Sequence, residues 1–99
     1  MSNYQVIIRP EAESDIEDAY SWYEAQRKGL GENFLLCIEE ALSRVSRTPS
    51  AYYLVYENVR RILIRRFPFG VFFVVDGKQV IVIAVLHARR NPSTWKGRT

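Results

Sequence analysis

The residues with the clearest chemical potential stand at the end of an apolar stretch, in the run His87-Ala88-Arg89-Arg90. A hydrophobic strand that ends in this way presents an imidazole and two guanidiniums at the edge of a sheet, where they can meet phosphates or carboxylates. Trp95 follows a few residues later in a basic setting. The same run also fits a strand end that is merely solvated by charge, and the residues alone leave both interpretations open.

Two further arginine pairs, Arg60-Arg61 and Arg65-Arg66, precede this run. Antiparallel strands could gather all the pairs into one basic patch, or the arginines could solvate an open sheet face and prevent edge-to-edge pairing. Residues 48–99 hold nine bases and two acids, a net charge of +7, whereas residues 10–47 hold nine acids and four bases, a net charge of −5. This asymmetry favours an anionic partner, either nucleic acid or an acidic protein surface.

Other kinds of site find little support. The sequence has one histidine, His87, and one cysteine, Cys37, and the helix acids lack the spacing of a carboxylate cage, so we expect no metal site. Gly29 and Gly31 join two helices instead of following a strand, which argues against a phosphate loop. No serine lies in the context of a nucleophile elbow. The sequence therefore predicts no bound cofactor.

The elements that must position these residues follow from hydrophobic periodicity and turn signals. We read a strand at 4–9, a helix from Pro10 to about 27, a second apolar helical face over 34–45, and strands at 59–67, 71–75 and 80–86. The short connection makes the two helices an antiparallel hairpin. The prediction is an α+β fold of β-α-α-β-β-β order, with the hairpin packed on a mainly antiparallel four-stranded sheet.

The remaining segments are expected to be irregular. Residues 51–58 are aromatic without a pattern and are interpreted as a loop, and residues 91–99 as a short, basic, partly mobile tail of a single domain that spans 1–99. The start of the chain lacks the features of a signal peptide, and no apolar run is long enough to cross a bilayer. We expect a soluble, cytoplasmic protein with no membrane partner.

This arrangement resembles the RelE/ParE superfamily of toxins. The resemblance rests on the order of elements, the acidic helical hairpin, the stretch Arg65-Arg66-Phe67-Pro68-Phe69-Gly70-Val71-Phe72-Phe73-Val74-Val75, and the ending Ala84-Val85-Leu86-His87-Ala88-Arg89-Arg90-Asn91-Pro92. It covers nearly the whole chain. The closing Val-Leu-His-x-Arg-Arg-x-Pro with Trp95 downstream is its most specific part and is typical of ParE-like members, so the resemblance favours the ParE branch.

The resemblance implies the toxin of a type II toxin-antitoxin system, of the kind linked to plasmid stabilisation, which arrests growth unless a cognate antitoxin wraps around it. ParE-like members inhibit DNA gyrase by binding, with no catalytic residue. RelE-like members instead cut mRNA on the ribosome, which needs general acid-base chemistry and charge stabilisation. The strand at 71–75 carries no arginine and the loop before Val59 no lysine, so only a reduced catalytic set of Arg65, His87 and Arg89 is available for this alternative.

Candidate contact residues complete the predictions. The target-binding set comprises Arg61, Arg65, His87, Arg89, Arg90 and Trp95. The antitoxin-binding set comprises Trp22, Tyr23 and Phe34. The residues alone favour the hairpin core or its rim for Trp22 and Tyr23 over a recognition site, although partners that bind helix grooves favour such aromatics. A third possibility is a harmless basic domain that binds nucleic acid without toxicity, which steep salt dependence would reveal.

Overall fold

The computed structural model of the protein describes residues 3–90 and 93–98, with eight helices and strands and one 3₁₀ turn in this part of the chain. In chain order they are β1 (Gln5–Ile8), α1 (Pro10–Gln26), α2 (Leu30–Arg47), the 3₁₀ turn (Pro49–Ala51), β2 (Tyr53–Tyr56), β3 (Val59–Leu63), β4 (Phe69–Asp76), β5 (Gln79–His87) and α3 (Ser93–Lys96). None of the described helices is long and apolar enough to cross a membrane.

Local sequence features explain where α1 begins and how the chain turns into α2. Pro10 occupies the first turn of α1 together with Glu11 and Glu13, where a fixed φ and negative charge both favour a helix start. The connection to α2 turns at Gly29, whose φ is 91°. The Glu24 carboxylate accepts hydrogen bonds from the backbone N–H of Gly29 and of Gly31, both at 3.0 Å. One side chain thus satisfies free donors at the start of α2.

The sheet has five strands in the order β1-β5-β4-β3-β2, and every neighbouring pair is antiparallel except β1 with β5. The α+β class is confirmed, but the expected four strands were one too few, because β2 lies in the segment that the sequence suggested as a loop. Tyr53 and Leu54 are 84% and 56% exposed, and the register shifts between Leu54 and Tyr56. Both faces of β2 therefore carry exposed apolar groups, and no period-two alternation marks the strand.

Both faces of the sheet are covered. The helices pack on one face over a core that includes Phe34, Ile38 and Phe73. On the other face, which we call the outer face, Phe72 and Trp95 belong to a second buried cluster, whose remaining members are Val59, Ile83, Ala84 and Leu86. This two-sided burial explains why β4 and β5 are continuously apolar.

Among the described residues, no strand pairs with the second half of β5 on the side where β1 pairs with its first half. Pairing with β1 ends at Ile8 and Val82. Beyond that point the Asp15 carboxylate accepts a hydrogen bond from the Val85 N–H at 3.0 Å, and the Arg98 guanidinium donates to the Ile83 carbonyl at 3.1 Å and to Asp15 at 2.7 Å. We call this arrangement the Asp15–Arg98 clamp. It joins Arg98 to both α1 and β5. The expected tail over 91–99 lies partly outside the described residues, which here are 93–98.

Candidate target-binding surface

The β3–β4 connection and the end of β5 meet at one end of the sheet. Phe69 pairs with His87, and the Ala88 N–H donates to the Pro68 carbonyl at 2.8 Å. This pairing places two arginine pairs, which the sequence separates by more than twenty positions, at the same end of the sheet. We call the group Arg65, Arg66, Arg89 and Arg90 the basic corner.

All four side chains of the basic corner face solvent. The Arg65 side chain is 71% exposed, and its Nε lies 3.8 Å from Oε1 of Glu40 on α2, which is a weak and well-screened pairing. Arg66 adopts a φ of 71°, and its guanidinium carbon lies 5.9 Å from the centre of the Phe67 ring. The corner therefore presents several positive charges that remain available to an anionic surface.

His87 lies beside the basic corner with its ring partly buried. Its Nδ1 accepts a hydrogen bond from the Arg89 backbone N–H at 3.2 Å, and its ring centre is 5.8 Å from that of Phe69. With Nδ1 as an acceptor, the remaining ring nitrogen, Nε2, is the one that can donate to a bound group. The imidazole is thus oriented, as a binding or proton-donating group would need to be.

The third arginine pair does not join the corner. The Arg60 guanidinium turns toward the 3₁₀ turn and donates to the carbonyls of Tyr52 at 2.7 Å and Ser50 at 3.3 Å. Arg61 lies on the outer face, and its Cγ and Cδ pass so close to Gly70 that a Cβ there would stand 3.1 Å from both. Of the three pairs that the sequence allowed in one patch, Arg60 is therefore turned away to the 3₁₀ turn, and Arg61 packs along Gly70 on the outer face.

Trp95 was predicted to contact the target, but its side chain is buried within the chain. It is only 3% exposed and stacks on Phe72, with ring centres 4.8 Å apart. The Tyr56 ring lies edge-on to the indole, with ring centres 5.9 Å apart, and the Lys96 ammonium lies 4.4 Å from the centre of the Tyr56 ring. The indole already fills a site within the chain, so its contribution to target binding would be to position the segment that follows β5.

The three aromatic residues predicted to meet an antitoxin are placed unequally. Trp22 is 59% exposed and packs edge-on against Tyr23, with ring centres 5.1 Å apart. Tyr23 is half-buried and also contacts Phe67, while Phe34 is fully buried in the core. Only Trp22 can contribute a large apolar contact to a partner without rearrangement of the fold.

A cleft that the sequence analysis missed links Trp22 to the basic corner. Its volume is about 320 Å³, and its walls include Asp18, Trp22, Phe69, Leu86 and Arg90. The cleft runs beside the unpaired edge of β5, between α1 and the C-terminal segment. Its position depends on contacts between distant parts of the chain, which periodicity cannot reveal.

Asp15 is a second residue that the sequence analysis missed. A signal was present: Asp15 stands three residues after Ala12 and four before Ala19, both of which are buried. That spacing places a carboxylate on the buried side of an amphipathic helix. A charge in such a position needs a partner, which Arg98 and Val85 provide.

The tyrosine on the outer face is held in its neutral form. A hydrogen bond from Tyr56 to Glu57 raises the pKa of the Tyr56 hydroxyl, and the Glu57 charge and burial add to the effect. A phenol in this state is a poor general base near neutral pH. Among the described residues, no three histidine, cysteine or carboxylate side chains gather to hold a metal ion.

Comparisons with known proteins agree with one another. The family model described as the ParE toxin of the type II toxin-antitoxin system parDE matches residues 6–92. A solved structure of the chromosomal ParDE toxin-antitoxin system from P. aeruginosa has a TM-score of 0.72 at 19% identity, over 85% of this chain and 95% of that chain. The RelBE2 toxin-antitoxin complex from Mycobacterium tuberculosis gives 0.60 at 20% identity, over 88% and 93%. No curated protein matches the sequence. At these identities the structures establish a shared fold.

Proposed function

Since the chain belongs to the family of ParE toxins of type II toxin-antitoxin systems, we propose that it inhibits DNA gyrase by binding and that a cognate antitoxin neutralises it. The observation that carries the gyrase proposal is the basic corner, where two segments of the chain converge through the pairing of Phe69 with His87. Exposed guanidiniums on a rigid sheet end suit an acidic protein surface, because they bind carboxylates in a defined geometry.

The clamped C-terminal segment supports the same proposal. The stacking of Trp95 on Phe72 and the ion pair of Arg98 with Asp15 fix the chain just beyond Arg89 and Arg90. When the segment beside a contact surface is already ordered in the free protein, binding costs less conformational entropy. The target-binding set under this proposal is Arg65, Arg66, Arg89 and Arg90, with His87 oriented beside them.

The arrangement supports the ribonuclease alternative less well. Cleavage of mRNA would need a base for the 2′-hydroxyl, a cation at the scissile phosphate and an acid for the leaving oxygen. Arg65 and Arg89 could supply the cation, and His87 could carry one proton. Tyr56 on the outer face has a raised pKa, which makes it a poor base for the 2′-hydroxyl. The basic corner and His87 thus supply two of the three groups, and this alternative ranks second.

The antitoxin partner is proposed by analogy with the two similar structures, both of which are toxin-antitoxin systems. In this chain Trp22 and the adjoining cleft offer an apolar contact surface that ends at Arg90. A partner that filled the cleft would also cover part of the basic corner. Neutralisation would then follow from direct competition with the target.

The test compares two double variants of equal charge. Arg89→Ala with Arg90→Ala removes half of the basic corner, and Arg27→Ala with Lys28→Ala removes the same charge at the exposed connection between the helices. The readouts are gyrase supercoiling of relaxed plasmid, cleavage of ribosome-bound mRNA, and cell growth after brief induction. We expect wild type and the Arg27/Lys28 variant to inhibit supercoiling, and the Arg89/Arg90 variant to lose inhibition by tenfold or more.

Three results would contradict the proposal. Full inhibition by the Arg89/Arg90 variant would remove the basic corner from the mechanism. Message cleavage that His87→Ala abolishes would move the protein to the ribonuclease branch. Unchanged growth, together with steeply salt-dependent binding to generic DNA or RNA, would favour a non-toxic nucleic-acid-binding domain.

A further inference from the structure

The connection between β3 and β4 is tightly closed and contains a strained arginine. The Ile64 N–H donates to the Phe69 carbonyl at 3.0 Å, which draws the two ends of the connection together. Between them Arg66 adopts a φ of 71°, in the left-handed region where the Cβ of a residue other than glycine crowds the following carbonyl oxygen. Glycine occupies this region without that clash. Strain that the surrounding structure maintains is concentrated at functional sites, so the arginine at this position calls for an explanation.

The residues on both sides of Arg66 hold its backbone in place. Ile64 is 6% exposed and Phe67 is 9% exposed, so the connection is anchored in the core before and after the arginine. The Phe67 ring packs edge-on against Tyr23, with ring centres 4.8 Å apart. Pro68 fixes its own φ and disfavours a helical backbone at Phe67. The connection therefore cannot relax without withdrawing apolar side chains from the core.

The Arg66 side chain is exposed on this fixed backbone. In the described part of the chain no carboxylate lies within ion-pair distance of it, whereas its neighbour Arg65 has Glu40 at 3.8 Å. The Arg66 guanidinium carbon lies 5.9 Å from the centre of the Phe67 ring. Such a contact with the face of a ring leaves the N–H donors of the guanidinium to a partner outside the chain.

We propose that Arg66 is the specificity-determining residue of the basic corner, and that its guanidinium binds a carboxylate of the target protein through two parallel hydrogen bonds. This inference deepens the proposed function and rests on it. The planar guanidinium matches a carboxylate in that geometry, whereas a lysine ammonium offers only a point charge. Because the backbone of Arg66 is fixed, a surface whose carboxylate lies elsewhere leaves the guanidinium without its partner and is disfavoured.

The charges beside Arg66 favour a single carboxylate over the phosphates of a nucleic acid. Arg65, the next residue along the connection, faces Glu40 on α2. A nucleic acid presents a continuous row of phosphates, and a row that followed the connection would meet the negative charge of Glu40 next to the arginines. One carboxylate on a protein surface can contact Arg66 alone and avoid that repulsion.

The test uses the full-length chain and compares thermal unfolding with inhibition of gyrase supercoiling. Arg66→Gly removes the strain together with the side chain. We expect its melting temperature to equal that of the wild type or to exceed it by up to about 5 °C, because relief of strain outweighs the greater freedom of glycine in the unfolded chain. We expect its inhibition to be at least roughly tenfold weaker, as the loss of a charged contact implies. A purely structural role would lower both quantities together.

Three further variants separate the contributions of charge, geometry and strain. Arg66→Lys keeps the charge and the strain but loses the planar fork, so inhibition should weaken by roughly three- to tenfold at an unchanged melting temperature. Glu57, in the turn between β2 and β3, is the other described residue besides glycine with a positive φ, at 48°. Glu57→Gly therefore relieves similar strain away from the basic corner and should leave inhibition unchanged. Lys28→Ala removes one positive charge between the helices and should also leave inhibition unchanged.

Several outcomes would overturn the inference. They are full inhibition by Arg66→Gly, inhibition by Arg66→Lys equal to that of the wild type, and a parallel loss of stability and inhibition in Arg66→Gly. Binding to a generic DNA duplex that falls in Arg66→Gly by the same factor as inhibition would assign the contact to phosphate instead.

Growth arrest after brief induction distinguishes the failure of this inference from that of the proposed function. If the wild type arrests growth without inhibiting supercoiling, the gyrase proposal fails, and Arg66 is judged by whether Arg66→Gly relieves the arrest. If the wild type and Arg66→Gly inhibit supercoiling equally, the role of Arg66 is wrong while the gyrase proposal stands. A wild type that neither inhibits gyrase nor arrests growth would contradict both.

Discussion

Replacing Asp15 with alanine is expected to destabilise the fold more than any other single change to an acidic residue of α1. The Asp15 side chain is 11% exposed and the Arg98 side chain 21%, so this ion pair is largely removed from water. Its carboxylate also accepts the hydrogen bond of the Val85 N–H at 3.0 Å. The substitution leaves a backbone donor at the edge of β5 without a partner and a guanidinium without its counter-charge.

The expected loss is about 3 kcal/mol in the free energy of unfolding. Breaking a buried pair by removal of one partner costs about 3–5 kcal/mol, and an unsatisfied buried donor alone costs about 1–3 kcal/mol. The lower limit of the range for a buried pair applies, because the Arg98 side chain can turn toward solvent once Asp15 is absent. For a domain of this length, such a loss lowers the melting temperature by about 12–24 °C.

The assay is urea and thermal unfolding followed by circular dichroism, with hydrogen exchange of the Val85 amide as a local readout. Asp18→Ala, an exposed acid on the same helix, is the control and should change stability by about 0.5 kcal/mol or less. A double-mutant cycle with Arg98→Ala should give a coupling energy of about 1–2 kcal/mol. The clamp would be refuted as a stabilising element if Asp15→Ala behaved like Asp18→Ala.

The remaining predictions concern packing and ionisation. Trp95→Ala should cost about 3–5 kcal/mol and reduce toxicity through loss of fold, whereas Trp95→Phe should retain most of both; chemical denaturation beside a growth assay separates these effects. Gly31→Ala should cost about 1–3 kcal/mol, because its Cβ would lie 2.8 Å from the Tyr20 ring, and wild-type melting behaviour in this variant would contradict the close packing. Tyr20, Tyr23 and Tyr56 have raised pKa values, so in an alkaline titration followed at 295 nm they should ionise above the usual value of 10.0. The free energy of unfolding should fall as the pH rises beyond 10.0, because the unfolded chain loses those protons first. If all the tyrosines titrated together near 10, the environments described for these three would be wrong.

The helices and the three long strands could be predicted because local signals agreed with tertiary needs. Pro10 and the acids after it mark a helix start, and the apolar runs of β4 and β5 reflect burial on both faces. Antiparallel neighbours return to the same end of a sheet, and Phe69 at the start of β4 pairs with His87 at the end of β5. A role for Arg65 and Arg89 in target binding stays a prediction.

The fifth strand and the positions of Trp95 and Arg98 could not be predicted, because they depend on contacts between distant parts of the chain. β2 is held by backbone pairing with β3, while two of its consecutive side chains, Tyr53 and Leu54, stay exposed, so hydrophobic alternation could not find it. Trp95 stands in a polar tail, and its stacking partner, Phe72, is more than twenty residues away. Arg98 was counted with the surface cations, yet its partner is Asp15, 83 positions earlier. Composition records the charge of such residues but not their burial.

The parallel pairing of β1 with β5 has a consequence for the order of events during synthesis. Gln5 pairs with Gln79, so the first strand to leave the ribosome waits for the last before it can be fixed in the sheet. Pairings of such long sequence separation form late in folding, because loop closure precedes any gain from contact. The basic corner needs the same last strand. A ribosome that has not yet released β5 therefore carries a chain in which neither the sheet nor the basic corner can be complete.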